Sequence, residues 1–164
     1  MASIPNSIAH KRIAGHASLR LQMEVLLGEF YSAVGIAPRD YPSTYVAELL
    51  ADNFEGRFFM RASSELLCFD KQQILTARLG LGDVRPTSRL LSLELSTITA
   101  DSLSATYCAV LRYGQSAIFH HGSLKAEQSN GRWMLRSIDE DVRVRLMPES
   151  RINPHSDRPR VWIR

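Results

Sequence analysis

From Leu103 to Leu111 apolar and polar residues alternate, with Leu103, Ala105, Tyr107, Ala109 and Leu111 on one side. A period of two is that of a β-strand with one buried face. Tyr113-Gly114-Gln115-Ser116 turns the chain, Ile118 to Gln128 returns, and Ser129-Asn130-Gly131-Arg132 turns it again into Trp133 to Ile138. Asn-Gly suits a two-residue hairpin, whose central residues both need positive φ. That turn pairs Gln128 with Trp133, Ala126 with Leu135 and Leu124 with Ser137. A Gly114-Gln115 turn pairs Leu111 with Ile118, Ala109 with His120 and Tyr107 with Gly122. Both registers place Tyr107, Ala109, Leu111, Ile118, His120, Leu124, Trp133 and Leu135 on one inner face. The outer face carries Arg112, His121, Lys125, Glu127 and Arg136, interleaved with Val110, Phe119, Met134 and Ile138. A one-residue slip would bury those charges, so the pattern fixes the register.

Upstream the period changes to that of helices. Leu19, Met23, Leu26, Leu27, Phe30, Tyr31 and Val34 recur every three or four residues, which predicts a helix from Ser18 to Gly35. Pro38 and Pro42 mark a loop. Ser43 caps a second helix with a buried stripe of Val46, Leu49, Leu50, Asn53 and Phe54, ended by Gly56. Arg57 to Phe69 reads as one or two extended segments. Asp70 and Gln73 match a capping box, which predicts a third helix over Lys71 to Leu79. Gly80, Gly82 and Pro86 end it, and Arg89 to Thr99 is a strand. Placing Leu91, Leu93 and Leu95 on the inner face then requires a bulge around Ala100-Asp101-Ser102. The reading is α+β, with one domain over 18–147, an N-terminal arm over 1–17 that is either loose or a short helical lead-in, and an irregular Arg-rich tail over 148–164, in which Val161-Trp162-Ile163 is suited to docking.

The chain has 164 residues and a formal net charge of +3. The excess of base lies in the tail, while acids and bases intersperse through the body, which argues against a nucleic-acid partner. Cys68 and Cys108 have no CxxC or His neighbour at ligand spacing, so neither a disulfide framework nor a metal site is expected, and buried reduced thiols are. No stretch approaches the roughly 18 apolar residues of a membrane span, and no secretory pattern is visible. A cytoplasmic protein is expected.

The order helix, helix, strand, short helix, curved meander resembles the nuclear transport factor two-like superfamily, in its SnoaL-like and ketosteroid-isomerase-like branches. The resemblance rests on Phe30-Tyr31, on Ala47 to Phe54, on Phe69-Asp70-Lys71-Gln72-Gln73-Ile74 and on Asn130-Gly131-Arg132-Trp133-Met134-Leu135, and covers about 18–141. It implies a cone-like curved antiparallel or mixed sheet wrapped by three N-terminal helices, with a pocket between sheet and helices. The same fold hosts isomerases, dehydratases, cyclases, hydrolases, non-catalytic subunits and adaptors.

Inner-face polar residues are then the candidates. His120 as general base and Tyr107 as oxyanion donor are the catalytic reading, set against a core histidine and a core tyrosine with ordinary hydrogen-bond partners. Ala109, Leu111, Ile118, Leu124, Trp133, Leu135 and Phe54 would line the pocket. Asp70 is accounted for by its cap, Asp52 reads as a solvated acid, and His121 must point away from His120. The expected function is binding of a small apolar or aromatic molecule by a cofactor-independent isomerase, dehydratase or cyclase. The alternative is a non-catalytic binding or assembly module. The half-apolar outer face predicts a homodimer.

Overall fold

The computed structural model describes residues 6–35, 43–76, 87–113 and 115–146. Expectations for the loop at 36–42, for residues 77–86 and for the tail from 147 lie outside them. Helix α1 spans Asn6–Gly35 and helix α2 Ser43–Leu49; strands β1 (Leu50–Met60) and β2 (Glu65–Asp70) precede helix α3 (Lys71–Thr76). Next come β3 (Thr87–Ile98), β4 (Ser102–Tyr113), β5 (Ser116–Ser129) and β6 (Arg132–Leu146). The strands form one mixed sheet in the order β2-β1-β6-β5-β4-β3. Only β1 and β6 run parallel; the other neighbours are antiparallel.

The predicted Asn130-Gly131 turn and Asp70 cap are present; Gly114 of the other predicted turn lies outside the described residues, and Tyr113 pairs with Ser116 on either side of it. Asn130 and Gly131 both take positive φ, 53° and 77°, as a primed hairpin turn requires. Asp70 Oδ1 accepts from the Gln73 backbone N–H at 2.7 Å, and Gln73 Oε1 accepts from the Asp70 backbone N–H at 2.8 Å, which is the reciprocal capping box. Met23, Leu27, Phe30 and Tyr31 bring the apolar stripe of α1 onto the inner face, over Leu93, Tyr107, Leu124 and Leu135. Trp133 is buried in the same core.

Several expectations are corrected. Helix α1 starts at Asn6 and runs through Ser18, so residues 6–17 form a helical lead-in and not a loose arm; Gly15 costs only about 1 kcal/mol in a helix. Helix α2 ends at Leu49. Leu50 already pairs with Leu135, so Asn53 is exposed, while Phe54, Gly56 and Phe58 alternate inward along β1. Leu91 does not join the inner face: bulges between Leu90 and Ser92 and between Leu95 and Thr97 turn Leu90, Leu93 and Leu95 inward and leave Leu91 51% exposed. Cys68, on edge strand β2, is exposed, and Cys108 is half-buried.

The correction that matters most for the site lies in β6. Ala126 faces Leu135, but Lys125 faces Ser137, so Arg136 is an extra residue. The bulge switches the inward residues from Trp133 and Leu135 to Ile138, Glu140 and Val142. Leu124 therefore faces Ile138, not Ser137, and Ile138 belongs to the core, not to the outer face.

Candidate functional site

The inner face can be traced in cross-strand rows. One row runs Leu67, Phe58, Glu140, Gly122, Tyr107, Leu93. The next runs Met60, Val142, His120, Ala109, Leu90. Glu140 and His120 are thus diagonal neighbours on β6 and β5, and Tyr107 lies across Gly122 from Glu140. Gly122 is what lets them meet. A Cβ there would strike the Asp139 carbonyl oxygen and come within 2.9 Å of Glu140 Cγ.

Four side chains from α1, β4, β5 and β6 converge at one carboxylate. Glu140 Oε1 accepts hydrogen bonds from the Tyr31 and Tyr107 hydroxyls. Glu140 Oε2 lies 2.6 Å from His120 Nδ1. The two hydroxyls are 3.3 Å apart, and the Tyr31 ring meets the imidazole edge-on at 5.2 Å between centroids. Glu140 is the one buried charged residue of the described core. A lone buried carboxylate would cost several kcal/mol, and three donors on two oxygens offset that cost. Burial, and after it the charge on Glu140, pushes the Tyr31 hydroxyl well above the usual tyrosine range. Burial, then Tyr31 and Glu140, does the same to Tyr107. Both stay neutral donors at any ordinary pH.

The arrangement sets the imidazole tautomer. An ionised carboxylate only accepts, so the proton of a neutral His120 sits on Nδ1, and Nε2 carries the lone pair. The His120 side chain retains 12% exposure, while Glu140 retains none. Nε2 has no hydrogen-bond partner among the described residues. The site is therefore a base with its lone pair turned from the carboxylate, backed by a buried acid that two phenols hold still.

Both predicted catalytic residues are in this cluster. His120 keeps a partly exposed ring, whereas the Tyr107 hydroxyl is committed to Glu140 and buried. Ala109, Leu111, Leu124, Trp133, Leu135 and Phe54 are core residues, and Ile118 is half-buried against them. One void beside Leu27, Gly28, Tyr31 and Ala109 measures about 10 Å³, roughly the room of one water. Past His120 the inner face opens. Ile118 pairs with Val144 in the next row, and Val144 and Leu146 are 48% and 81% exposed. A second, open trough of about 330 Å³ includes Cys108, Phe119 and His121 and belongs to the outer face, with only Ala109 and His120 shared with the inner rows. Asp52 is solvated, 2.8 Å from Lys71, whose hydrogen bond and charge lower its pKa. Glu94 and His121 are exposed.

Sequence reasoning missed Glu140, and passed Tyr31 as a core residue. A signal for Glu140 existed: Ile138, Val142, Val144 and Leu146 alternate with Asp139, Asp141, Arg143 and Arg145, which puts Glu140 on the apolar side of a strand that runs past Ile138. Among the described residues no group of three or more His, Cys, Asp or Glu is arranged to hold a metal ion, and no helix is long and apolar enough to cross a membrane.

No family model matches the sequence, and no curated protein sequence matches it either. Solved structures do. A hexachlorocyclohexane dehydrochlorinase (LinA, type 2) superposes with a TM-score of 0.55 at 11% identity, over 84% of this chain and 92% of that one. A nuclear transport factor two-like protein of unknown function from Pseudomonas aeruginosa gives 0.55 at 14%, over 82% and 98%. A candidate scytalone dehydratase from Novosphingobium aromaticivorans gives 0.53 at 10%, over 80% and 87%. With the curved mixed sheet and the helices on its inner face, these show that the chain has the nuclear transport factor two-like fold.

Proposed function

We propose that this chain catalyses a cofactor-independent elimination on a small apolar molecule, with His120 Nε2 as general base. The observation that carries the reading is the buried Glu140, which accepts from His120 Nδ1 and leaves Nε2 unpartnered among the described residues. In the step, Nε2 takes a proton from a carbon of the substrate. The C–H electron pair becomes the new C=C bond, and the leaving group departs from the adjacent carbon with its bonding pair. The ring charge that forms faces Glu140 at 2.6 Å. The imidazolium then gives its proton to solvent, or to a departing hydroxide to make water. Returning it to another carbon gives an isomerisation from the same machinery.

Tyr31 and Tyr107 act in this reading through Glu140 as positioning residues, so Tyr107 is not the oxyanion donor. The substrate's apolar body would lie on Ile118, Val144 and Leu146, beyond the imidazole. Two structural neighbours support the reaction class by name alone, one a dehydrochlorinase and one a candidate dehydratase, both eliminations. The test offers a polychlorinated cyclohexane and a β-hydroxy ketone, and reads chloride release and enone absorbance. His120→Ala should lower the rate about 10²–10⁴-fold, with partial rescue by added imidazole. An unchanged rate, or no turnover and no C–H deuterium exchange in either probe, refutes the proposal.

A non-catalytic assembly module is the second reading, favoured by the tightly filled core around Tyr107, Leu124 and Leu135. The homodimer is proposed at one end of the outer face, where mixed charge at Lys125, Glu127 and Arg136 surrounds the part-exposed Met134 and lets the patch complement its own copy. Light scattering at micromolar concentration tests it, and a strictly monomeric mass refutes it.

A further inference from the structure

The other end of the outer face has a different character. One cross-strand row reads Arg112, Ala117, Arg145; the next reads Val110, Phe119, Arg143; the third reads Cys108, His121, Asp141. Asp141 is shared by Arg61 at 2.6 Å and Arg143 at 3.3 Å, so two cations already neutralise it, and its pKa is lowered chiefly by Arg61. Arg112 and Arg145 pair with no carboxylate among the described residues. They flank the small, buried Ala117, and like charges so placed repel. The Arg145 guanidinium stands over the Phe119 ring, 5.6 Å from its centroid. Leu91, extruded by the β3 bulge, lines the same trough.

The feature therefore combines a concave volume of about 330 Å³, an aromatic and aliphatic floor and an excess of guanidinium. That volume falls at the small end of ligand sites. The charge argues against a second copy here, because a two-fold contact would set arginines against their own copies. We propose that the trough binds a small organic anion with a flat apolar body, an aryl carboxylate. Arg145 would hold the carboxylate through its planar fork, and Phe119 and Leu91 would cover the ring. The site is centred on the outer face, shares only Ala109 and His120 with the inner rows, and does not depend on the elimination proposed above.

The experiment titrates the full chain, monitored by NMR, with 2-naphthoate and with the neutral 2-naphthylmethanol. Naphthoate should move the His121 ring and Arg145 side-chain resonances saturably, with no comparable shift at the His120 ring. The alcohol should bind at least tenfold more weakly. Arg145→Gln, an exposed change, should weaken naphthoate at least tenfold, and Phe119→Ala should weaken both probes. Equal binding of acid and alcohol, indifference to Arg145→Gln, a response at His120 instead of His121, or a silent His121 would each overturn the proposal.

Discussion

Glu140→Gln removes one charge and almost no volume, so its cost can be worked from the hydrogen bonds alone. Oε1 serves two phenols and Oε2 serves His120 Nδ1. An amide has one acceptor oxygen. If that oxygen keeps the phenols, the NH₂ group meets Nδ1–H donor to donor, and the imidazole proton must move to Nε2. Each of three hydrogen bonds to a charged acceptor, worth about 1.5–3 kcal/mol, becomes at best a neutral one of about 0.5–1.5 kcal/mol. The loss sums to about 3 kcal/mol, the low end of what breaking a buried ion pair costs. At about 2–4 °C per kcal/mol for a chain of this size, Tm falls by about 6–12 °C. Urea unfolding monitored by tryptophan fluorescence reads it. The control is Glu127→Gln, which breaks the exposed pair with Arg136 and should cost under about 1 kcal/mol. Glu140→Gln no more destabilising than Glu127→Gln would refute the network.

Gly122→Ala should destabilise by about 1–3 kcal/mol through overpacking against Asp139 and Glu140, and equal stability in the same urea assay would contradict the close approach. Tyr31 and Tyr107 have folded pKa values above their unfolded value of about 10, so the folded state holds more protons in alkali, and stability should fall as pH rises above about 10. The slope should approach about 1.4 kcal/mol per pH unit per tyrosine, and the double change to Phe should flatten it; an equal slope in wild type and double variant would refute the burial. Asp70→Ala should cost about 1 kcal/mol and speed amide exchange in α3, and unchanged exchange would argue against the cap.

Much of this fold was legible because its signals are local. Asn130-Gly131 sets its hairpin by φ alone, and Asp70 with Gln73 announces a helix start by two side chains three residues apart. What escaped is what distant pairing decides. Leu49, Leu50 and Phe54 fit a helical stripe as well as the end of a helix and the start of a strand, and only pairing of Leu50 with Leu135 chooses. The extra Arg136 in β6 reverses the facing of every later residue and carries Glu140 inward, and only the alternation beyond Ile138 marks it in the sequence. His120 and Tyr107 were visible as candidates on the face from the hairpin registers, while the carboxylate that joins them needed that later alternation to be read.

The central claim is that Glu140 holds His120 with its proton on Nδ1 and its lone pair on Nε2. Two-bond ¹H–¹⁵N correlation of the His120 ring at about pH 8.5, where an ordinary imidazole is neutral, reads this directly. The account predicts a protonated, pyrrole-like Nδ1 and an unprotonated, pyridine-like Nε2, exchanged in Glu140→Gln. A wild-type His120 with its proton on Nε2 would contradict it.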